Sequence, residues 1–581
     1  MSTFRYKLIW LPLLLSACAN VPHAANKTEA SPANAHPGVA SPAPAAAEPP
    51  LPNVALDDRM LFEFLLGDIA AQRGRPEVAV QAYLELARTT RDPRVARRAA
   101  QLAFESHRFD VSLEAFQLWQ ELEPDAPLAR QMLVSLLLSG GRLQEARPHV
   151  EKLLAAGTES AVSVFKMLAT MLVRMPDHKV AQDWLVDVAR PYGALPESHW
   201  AIAQVAAAAG KQELALSEIR VARKSRPEWD SAAVLEAQLL MAPQPQQALE
   251  LLRQYLQSYP VKKDVRLFYA RALLEKKQYA ESREQFQKLL EASPDNVEIA
   301  FAVALLSLQL GELDRAQKEL QDTLQKGKKD ADTVHYYLGQ LNEAKKDDAA
   351  ALAQYGDVNA GEYAYAARLR EAYLLNRVGK LEQARAALKK AVATNNQQRA
   401  MLAMIEAQML RDAGRFADSY RVLQDALAQL PNNPQLLFEQ AMMADKLGKT
   451  DEFEQTLRKL LQVSPDNAQA YNALGYSFLE RNIRIDEGMK LVEKAYALAP
   501  DDSAITDSMG WGYYRLGKLD KSAEFLRRAY NGNPDPEIAA HLGEVLWVKG
   551  DKQEASKVWQ DALKMHPDSE PLRTTIKKFT P

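Results

Sequence analysis

Prolines return at an almost constant interval through the last part of this 581-residue sequence. They stand at Pro431, Pro465, Pro500, Pro534 and Pro567, so the successive intervals are 34, 35, 34 and 33 residues. The residues between them favour helix, because Ala, Leu, Gln, Glu, Lys and Arg dominate over β-branched residues and unbranched side chains lose little rotamer freedom in a helix. A period of this length indicates stacked helical units that share one continuous core.

The small residues around Trp511 occupy fixed places within this period. Gly510 lies where two helices would cross, Gly517 lies in the turn between them, and Ser522 and Ala529 follow in the second helix. Helical flanks argue against a phosphate-binding loop, which needs a preceding β-strand. The pattern resembles the tetratricopeptide repeat, a pair of antiparallel helices. The resemblance implies an all-α fold, a tetratricopeptide-repeat superhelix (α-solenoid) of roughly fifteen helix pairs.

The repeat pattern, the composition and the N-terminal residues together divide the chain into segments. The predicted segments are a lipoprotein signal peptide at 1–17, a lipidated cysteine with a Pro/Ala-rich tether at 18–54, a divergent N-terminal repeat array at 55–360, a C-terminal repeat array at 361–568, and a capping helix at 569–581. The tether has few apolar anchors, so it cannot bury enough surface to offset the entropy of ordering.

Cys18 is the single cysteine of the chain and follows a short apolar stretch. Arg5 and Lys7 precede that stretch, and Leu15-Ser16-Ala17-Cys18 resembles a lipobox, in which the cysteine becomes the acylated N-terminus. The alternative is an ordinary secretory signal cleaved after small residues. Because Ala19 follows Cys18, the resemblance to Gram-negative lipoproteins implies an outer-membrane protein that is lipid-anchored and faces the periplasm.

The first helix of each repeat is expected to line a concave groove. Trp511 directly follows the packing residue Gly510, so its ring is predicted to face the groove; the alternative is that such aromatics pack between helices. Exposed Trp, Tyr and Arg beside carboxylates are typical of binding hot spots. The predicted protein- or peptide-binding residues are Asn472, Tyr476, Asp507, Trp511, Tyr514, Arg515 and Trp547.

A second candidate surface is basic and lies near the tether. It consists of Arg88, Arg91, Arg94, Arg97 and Arg98. The first interpretation is a solvated face whose charge Asp92 and Glu105 offset. The other is a docking patch for an acidic protein surface or for phospholipid headgroups.

Composition and motifs give no indication of catalysis. The formal net charge of -3 and the pI of about 6.4 give no reason to expect nucleic acid as a partner. The nine histidines are scattered, and the sequence has no zinc-protease, paired-CxxC or nucleophile-elbow motif. We therefore expect a protein that is not an enzyme, with no catalytic residue, no cofactor and no metal site.

The anchor, the tether and the repeats together resemble one family of repeat lipoproteins. These are the LbcA-type adaptors of carboxyl-terminal processing proteases, which share segments like Asn472-Ala-Leu-Gly-Tyr476 and Asp507-Ser-Met-Gly-Trp511. The resemblance implies a periplasmic carboxyl-terminal processing serine protease as partner and cell-wall hydrolases as cargo. The alternative is a repeat scaffold for an envelope machine, such as a pilus secretin or an exopolysaccharide exporter.

Overall fold

The computed structural model of the protein describes residues 52–106, 108–327 and 330–580. The predicted signal peptide at 1–17, Cys18 and most of the tether at 18–54 lie outside these residues. The described ranges contain 31 α-helices, one short 3-10 helix and no β-strand. Among the described residues, no helix has both the length and the apolar character needed to cross a membrane. The chain divides into two compact units, one ending at Lys326 and one beginning at Gly327.

The first unit is an array of eight helix pairs. Its helices are α1 Asp58–Gln72, α2 Pro76–Thr90, α3 Pro93–Glu105, α4 Phe109–Leu122, α5 Pro127–Ser139, α6 Leu143–Ala155, α7 Thr158–Leu172, α8 His178–Ala189, α9 Pro196–Ala208, α10 Gln212–Ser225, α11 Asp230–Met241, α12 Pro245–Ser258, α13 Lys263–Glu275, α14 Tyr279–Glu291, α15 Val297–Gln309 and α16 Leu313–Gln325. The 3-10 helix Arg190–Tyr192 follows α8. Consecutive helices pack on each other, so the core is a strip that runs along the array.

The second unit contains seven further pairs and a final single helix. Its helices are α17 Ala331–Ala344, α18 Asp348–Gly356, α19 Ala364–Arg377, α20 Leu381–Lys390, α21 Asn396–Asp412, α22 Phe416–Gln429, α23 Pro434–Lys446, α24 Thr450–Val463, α25 Ala468–Glu480, α26 Ile485–Leu498, α27 Ser503–Arg515, α28 Leu519–Gly532, α29 Pro536–Lys549, α30 Lys552–Met565 and α31 Glu570–Phe579. Eight pairs and seven pairs confirm the predicted all-α solenoid of about fifteen helix pairs.

The helix crossing at Gly510 is as close as its place in the repeat predicts. A Cβ atom on Gly510 would lie 2.5 Å from Cγ of Leu526 and 3.1 Å from the Leu526 backbone nitrogen. Ser522 is fully buried, and its hydroxyl donates a hydrogen bond to the Gly510 carbonyl at 2.8 Å. Gly517 has a φ of 73° in the turn that follows, a conformation that side chains other than glycine rarely adopt. These residues therefore serve helix packing and turn formation.

The turn near Arg481 accommodates the one extra residue of its repeat. The repeat there is one residue longer than 34, and the turn between α25 and α26 places both Asn482 and Arg484 in the left-handed region, with φ values of 55° and 46°. Two left-handed residues absorb the extra length without a glycine. Gly475 and Gly488 still meet across the pair, since a Cβ on Gly475 would lie 2.7 Å from the Gly488 carbonyl oxygen.

One marker of the repeat does not have the place that the sequence suggested. Gly379, Ala384 and Ala391 fit the pattern of one repeat, which predicts Ala391 in its second helix, but α20 ends at Lys390. Ala391 has φ -72° and ψ 121°, which is an extended conformation. The following residues, Val392 to Asn395, include the β-branched Val392 and Thr394 and one asparagine, which are weaker helix formers than alanine.

Candidate functional site: the concave residues of the last three repeats

The first helices of the last three pairs, α25, α27 and α29, bring most of the predicted binding residues together. Their common neighbour is His541, which the sequence analysis did not single out. We call the group formed by Tyr476, Asp507, Trp511, Arg515, Glu537 and His541 the histidine cluster. Three successive repeats each contribute at least one side chain to it.

His541 is the centre of this cluster and is buried, with 8% of its surface exposed. Its Nδ1 lies 2.9 and 3.1 Å from the two carboxylate oxygens of Asp507. Its Nε2 lies 3.4 Å from the Tyr476 hydroxyl oxygen, and that hydroxyl donates to Glu537 at 2.9 Å. A carboxylate accepts only, so Nδ1 is the donor toward Asp507.

Two opposing effects act on the pKa of His541. Burial lowers it, because a charged imidazole loses hydration. The charge of Asp507 and its hydrogen bond raise the pKa, with a further contribution from the Glu537 charge, and the net direction is upward from the ordinary value of 6.5. The cluster therefore favours the imidazolium form, which donates from both ring nitrogens.

Trp511 does not face open solvent, and the expectation of an exposed ring is wrong. Only 4% of the residue is exposed. Its ring stacks on His541 with centroids 4.1 Å apart and an interplanar angle of 21°, and the Arg515 guanidinium lies 4.8 Å from its ring centroid. Neighbouring first helices approach closely on this side, so a large ring fills the space between α27 and α29. The second alternative, packing between helices, describes Trp511 correctly.

Three buried polar atoms in or near the cluster have no hydrogen-bond partner among the described residues. They are the indole nitrogen of Trp511, Nε of Arg515 and the side-chain oxygen of Asn472. Asp507 is also buried, with 6% exposed, because its carboxylate is directed at His541. The accessible part of the predicted groove is consequently its rim, where Glu480, Glu537 and Val548 are exposed.

Tyr514 and Trp547 lie toward the final helix α31. The Tyr514 hydroxyl donates to Glu544 at 3.2 Å, and burial, followed by the Glu544 charge, raises the pKa of Tyr514 to about 12. Lys578 of α31 donates to the same carboxylate at 3.0 Å. The half-buried Trp547 ring stacks on Trp559 with centroids 5.7 Å apart. These contacts tie the predicted groove to the end of the array.

The predicted arginine patch lies on α2, on α3 and in the turn between them, and its five members are all exposed. Three of them pair with carboxylates: Arg88 with Glu85 and Glu114, Arg91 with Glu121 at 2.9 Å, and Arg94 with Asp92 at 2.6 Å. The partners include Asp92, as predicted, but not Glu105.

Arg97 and Arg98 have no carboxylate partner among the described residues. Arg97 instead lies 5.7 Å from the centroid of the Trp119 ring. The patch is thus mostly neutralised, and its uncompensated charge is confined to two adjacent arginines on α3.

His541 could have been found from the repeat period. It lies 34 residues after Asp507 on the next first helix, and residues one period apart are neighbours across adjacent repeats. The glycines and alanines of the period mark packing contacts, whereas the ionisable groups that the same period superimposes mark polar contacts between repeats. In the described residues, no group of three or more His, Cys, Asp or Glu is arranged to hold a metal ion.

Most of the chain is similar to known repeat proteins. One tetratricopeptide repeat profile matches residues 97–161, 242–297, 369–434 and 508–570, and a second matches 273–341 and 410–475. The TPR repeat-containing protein PA4667 of Pseudomonas aeruginosa is 32% identical over 523 residues, which cover 90% of this chain and 88% of that protein.

More local similarities extend to other proteins. Cellulose synthase operon protein C of Pseudomonas fluorescens is 32% identical over 126 residues, which cover 21% of this chain and 10% of that protein. The crystal structure of a tetratricopeptide repeat protein from Parabacteroides merdae superposes with a TM-score of 0.35 at 16% identity, over 43% of this chain and 99% of that one.

Proposed function

The chain belongs to the tetratricopeptide repeat family, and we propose that it acts as an adaptor that holds two other proteins together at the periplasmic face of the outer membrane. Repeat arrays of this kind offer extended surfaces for protein binding. The observation that carries the proposal is the presence of two chemically different surfaces on separate units. One is the rim of the histidine cluster in the second unit, and the other is the pair Arg97 and Arg98 in the first.

The rim of the histidine cluster combines carboxylates with apolar and aromatic groups. Glu480 and Glu537 are exposed, Val548 has 46% of its surface exposed, and Tyr514 and Trp547 are half-buried beside them. Large side chains held rigidly by their neighbours cost little entropy when a partner binds. The buried stack of Trp511 on His541 supplies this rigidity. We assign the rim to a protein or peptide ligand and the stack to its support.

The partners come from the resemblance described above. The adaptor binds a periplasmic carboxyl-terminal processing protease and brings cell-wall hydrolases to it as substrates. The lipobox at Cys18 keeps this encounter at the membrane. Holding protease and substrate on one scaffold raises their effective concentration, and in this way the adaptor activates the protease toward these substrates. The chain contributes binding surfaces and no reacting group.

The test is a comparison of rim and control variants in a pulldown with the tagged full chain. The rim variant is Glu480→Arg with Val548→Arg. The control is Glu493→Arg with Leu498→Arg on α26, which likewise replaces one glutamate and one aliphatic residue by arginine at exposed positions of a second helix. Loss of one well-placed anchor weakens binding by about 2 kcal/mol or more, roughly thirtyfold. The rim variant should lose one partner and keep the other, and the control should keep both.

A matching test addresses the first unit. Charge reversal of Arg97 and Arg98 should weaken a different partner, and the loss should depend on salt because exposed charges are screened. If the rim variant and the arginine variant both retain every partner, neither surface is the binding site. If neither a protease of this type nor its substrates are recovered with the unaltered chain, the adaptor role is wrong.

The second candidate function is a scaffold for assembly of an envelope machine, such as a pilus secretin or an exopolysaccharide exporter. The similarity to cellulose synthase operon protein C favours it, although that similarity covers 21% of this chain. Recovery of a secretin or an export porin in the same pulldown, in place of a protease, would support this alternative.

A further inference from the structure

The second helices of the repeats in the second unit differ in length. In the last five pairs, α22, α24, α26, α28 and α30 have 14 residues each. Helix α18 has 9 residues and α20 has 10. Helix α20 is therefore four residues shorter than the helices that follow, which corresponds to about one helical turn.

The space beyond the short helix α18 is filled by its own loop. Val358 is fully buried there. The Arg368 guanidinium donates to the carbonyls of Gly356 and Val358 at the end of the helix. The Tyr363 ring stacks on Tyr336 with centroids 4.6 Å apart. A short second helix in this array is thus compatible with a complete core when the loop carries large side chains.

The space beyond α20 is not filled in this way. Val392 has 77% of its surface exposed, and the neighbouring loop positions are the small residues Ala391 and Ala393. A cavity of about 640 Å³ lies between the end of α20, helix α21 and helix α22. Its lining includes Leu402 and Val422, which are half-buried. We call this cavity the α20 notch.

The charged groups that line the notch are not balanced. Arg385 donates to Glu406 at 2.8 Å and to Glu382, and Asp418 pairs with Arg415 at 2.7 Å. Lys389 and Arg399 also line the notch, and neither has a carboxylate within 4.0 Å among the described residues.

Two further charged groups complete the lining. Arg421 lies 3.8 Å from the already paired Asp418, and Asp425 is the remaining carboxylate. The lining therefore carries four cations and three carboxylates around an apolar floor, and Lys389 and Arg399 are its two cations without a carboxylate partner among the described residues. The notch volume also falls within the range of about 300–1,000 Å³ that is usual for binding pockets.

From these observations we propose that the α20 notch binds one turn of an acidic amphipathic helix of a partner protein, which takes the place of the missing turn of α20. Apolar side chains of that turn contact Leu402 and Val422, and its carboxylates pair with Lys389 and Arg399. This mode of binding is helix-in-groove recognition, in which side chains spaced three or four residues apart anchor the peptide. The inference stands apart from the rim of the histidine cluster and does not depend on the identity of the partners there.

The test uses a designed peptide and the full chain. The probe is a fluorescein-labelled helical peptide with leucines on one face and glutamates on the other. Two control peptides replace the glutamates with lysines or the leucines with serines. Fluorescence anisotropy should show binding of the acidic amphipathic peptide and at least about tenfold weaker binding of either control peptide.

Two kinds of variant locate the site. Lys389→Glu with Arg399→Glu should weaken binding about tenfold or more, because both carboxylate partners are lost. The matched control, Lys459→Glu with Lys490→Glu, makes the same change of charge on exposed positions of α24 and α26 and should leave affinity within about twofold. Ala426→Leu, in the notch lining, should also weaken peptide binding by filling the cavity, while circular dichroism shows an intact fold.

Several outcomes would overturn the proposal. One is equal binding of the acidic and basic peptides, and another is no binding of the acidic peptide up to about 1 mM. A third is unchanged affinity in the Lys389→Glu, Arg399→Glu variant. If the full chain forms oligomers in sedimentation that Ala426→Leu disrupts, the occupant is a second copy of this chain and the proposal is wrong. The Glu480→Arg, Val548→Arg variant should still bind the peptide, so failure of the rim and failure of the notch are separate results.

Discussion

Protonation of His541 stabilises the folded state, because the imidazolium donates a hydrogen bond to Asp507 while its ring stacks on Trp511. A group whose pKa is raised on folding stabilises the protein fully below its unfolded value, here about 6.5, and this contribution is lost as the pH rises through the higher folded value. We therefore expect the unfolding temperature of the C-terminal repeats to fall as the pH rises above about 6.5, as measured by circular dichroism in matched buffers.

Variants of the pair identify His541 as the source of this dependence. His541→Gln should unfold at a lower temperature than the wild-type chain at the acidic end and show a smaller change with pH. Asp507→Asn should have a similar effect, because loss of the carboxylate charge removes the main influence that raises the pKa of His541. An unchanged pH profile in both variants would show that other titrating groups cause it.

Alanine substitutions at Gly510 and Gly512 test how closely neighbouring helices pack at these two positions. A Cβ on Gly510 would collide with Leu526, including its backbone nitrogen at 3.1 Å, whereas a Cβ on Gly512 would first meet the sulfur of Met489 at 2.6 Å. A backbone atom such as the Leu526 nitrogen cannot move aside as easily as the end of a flexible methionine side chain. Gly510→Ala should therefore lower the free energy of unfolding by about 1–3 kcal/mol, and Gly512→Ala should change it much less. Equal losses in urea titrations of the two variants would contradict this explanation.

The sequence predicted the close helix crossing at Gly510 correctly and the exposure of the Trp511 ring incorrectly. The close approach at Gly510 follows from residue size alone, so a period of small residues predicts it. The exposure of the Trp511 ring was predicted wrongly, because it depends on how near α29 lies to α27. That distance depends on His541, a residue of the neighbouring repeat, and no local pattern around Trp511 contains it.

The final helix α31 covers the apolar end of the last pair. Leu572 is fully buried, and the Phe579 ring lies 6.4 Å from Trp547 and 6.1 Å from Trp559, measured between centroids. A terminal repeat needs such a cover to remain soluble. Deletion of residues 570–581 should lower the unfolding temperature of α29 and α30 and shift tryptophan emission toward longer wavelengths, since Trp559 gains contact with water.

The ion pair of the same helix provides the control for that deletion. Lys578 is largely exposed and pairs at 3.0 Å with Glu544, which is buried. Because Glu544 keeps its hydrogen bond from Tyr514, Lys578→Ala should destabilise the protein less than the deletion does. If the single substitution and the deletion destabilise the protein equally, the ion pair and not the apolar cover holds α31 in place.

Helix positions were largely predictable, and helix lengths were not. The proline period and the turn glycines located the last pairs because each break has its own residue chemistry. The early end of α20 carries no proline or glycine, and Ala391 even fits the family pattern. Whether another turn forms there depends on what it could pack against, which is a property of α21 and α22.

For the whole chain, the anchor at Cys18 makes the simplest prediction, although it lies outside the described residues. Cys18→Ser removes the sulfur that would carry the lipid, so the protein should move from the membrane pellet to the soluble periplasmic fraction. A variant that still sediments with outer membranes would mean that the lipobox interpretation is wrong or that a resident partner retains it. Metabolic labelling with a fatty acid distinguishes these two explanations.

The two compact units predict that unfolding takes place in more than one step. Stability in a repeat array is a sum over repeats and their interfaces, so separate units need not unfold together. Urea titrations followed by circular dichroism and by tryptophan fluorescence should give transitions that do not coincide. Gly510→Leu should shift the transition of the second unit and leave the other in place. A single two-state curve for every probe would contradict this division.

The contact between Tyr476 and Glu537 restricts how the last three repeats can be inserted or deleted during evolution. Arrays of this kind diversify by duplicating or deleting whole repeats, which works because each repeat contacts its immediate neighbours. Tyr476 reaches past the pair α27 and α28 to a residue 61 positions further along the chain. Excision of that pair would remove Asp507, the partner of His541, and would change the spacing across which Tyr476 reaches Glu537. We therefore expect these three repeats to be gained or lost as a block.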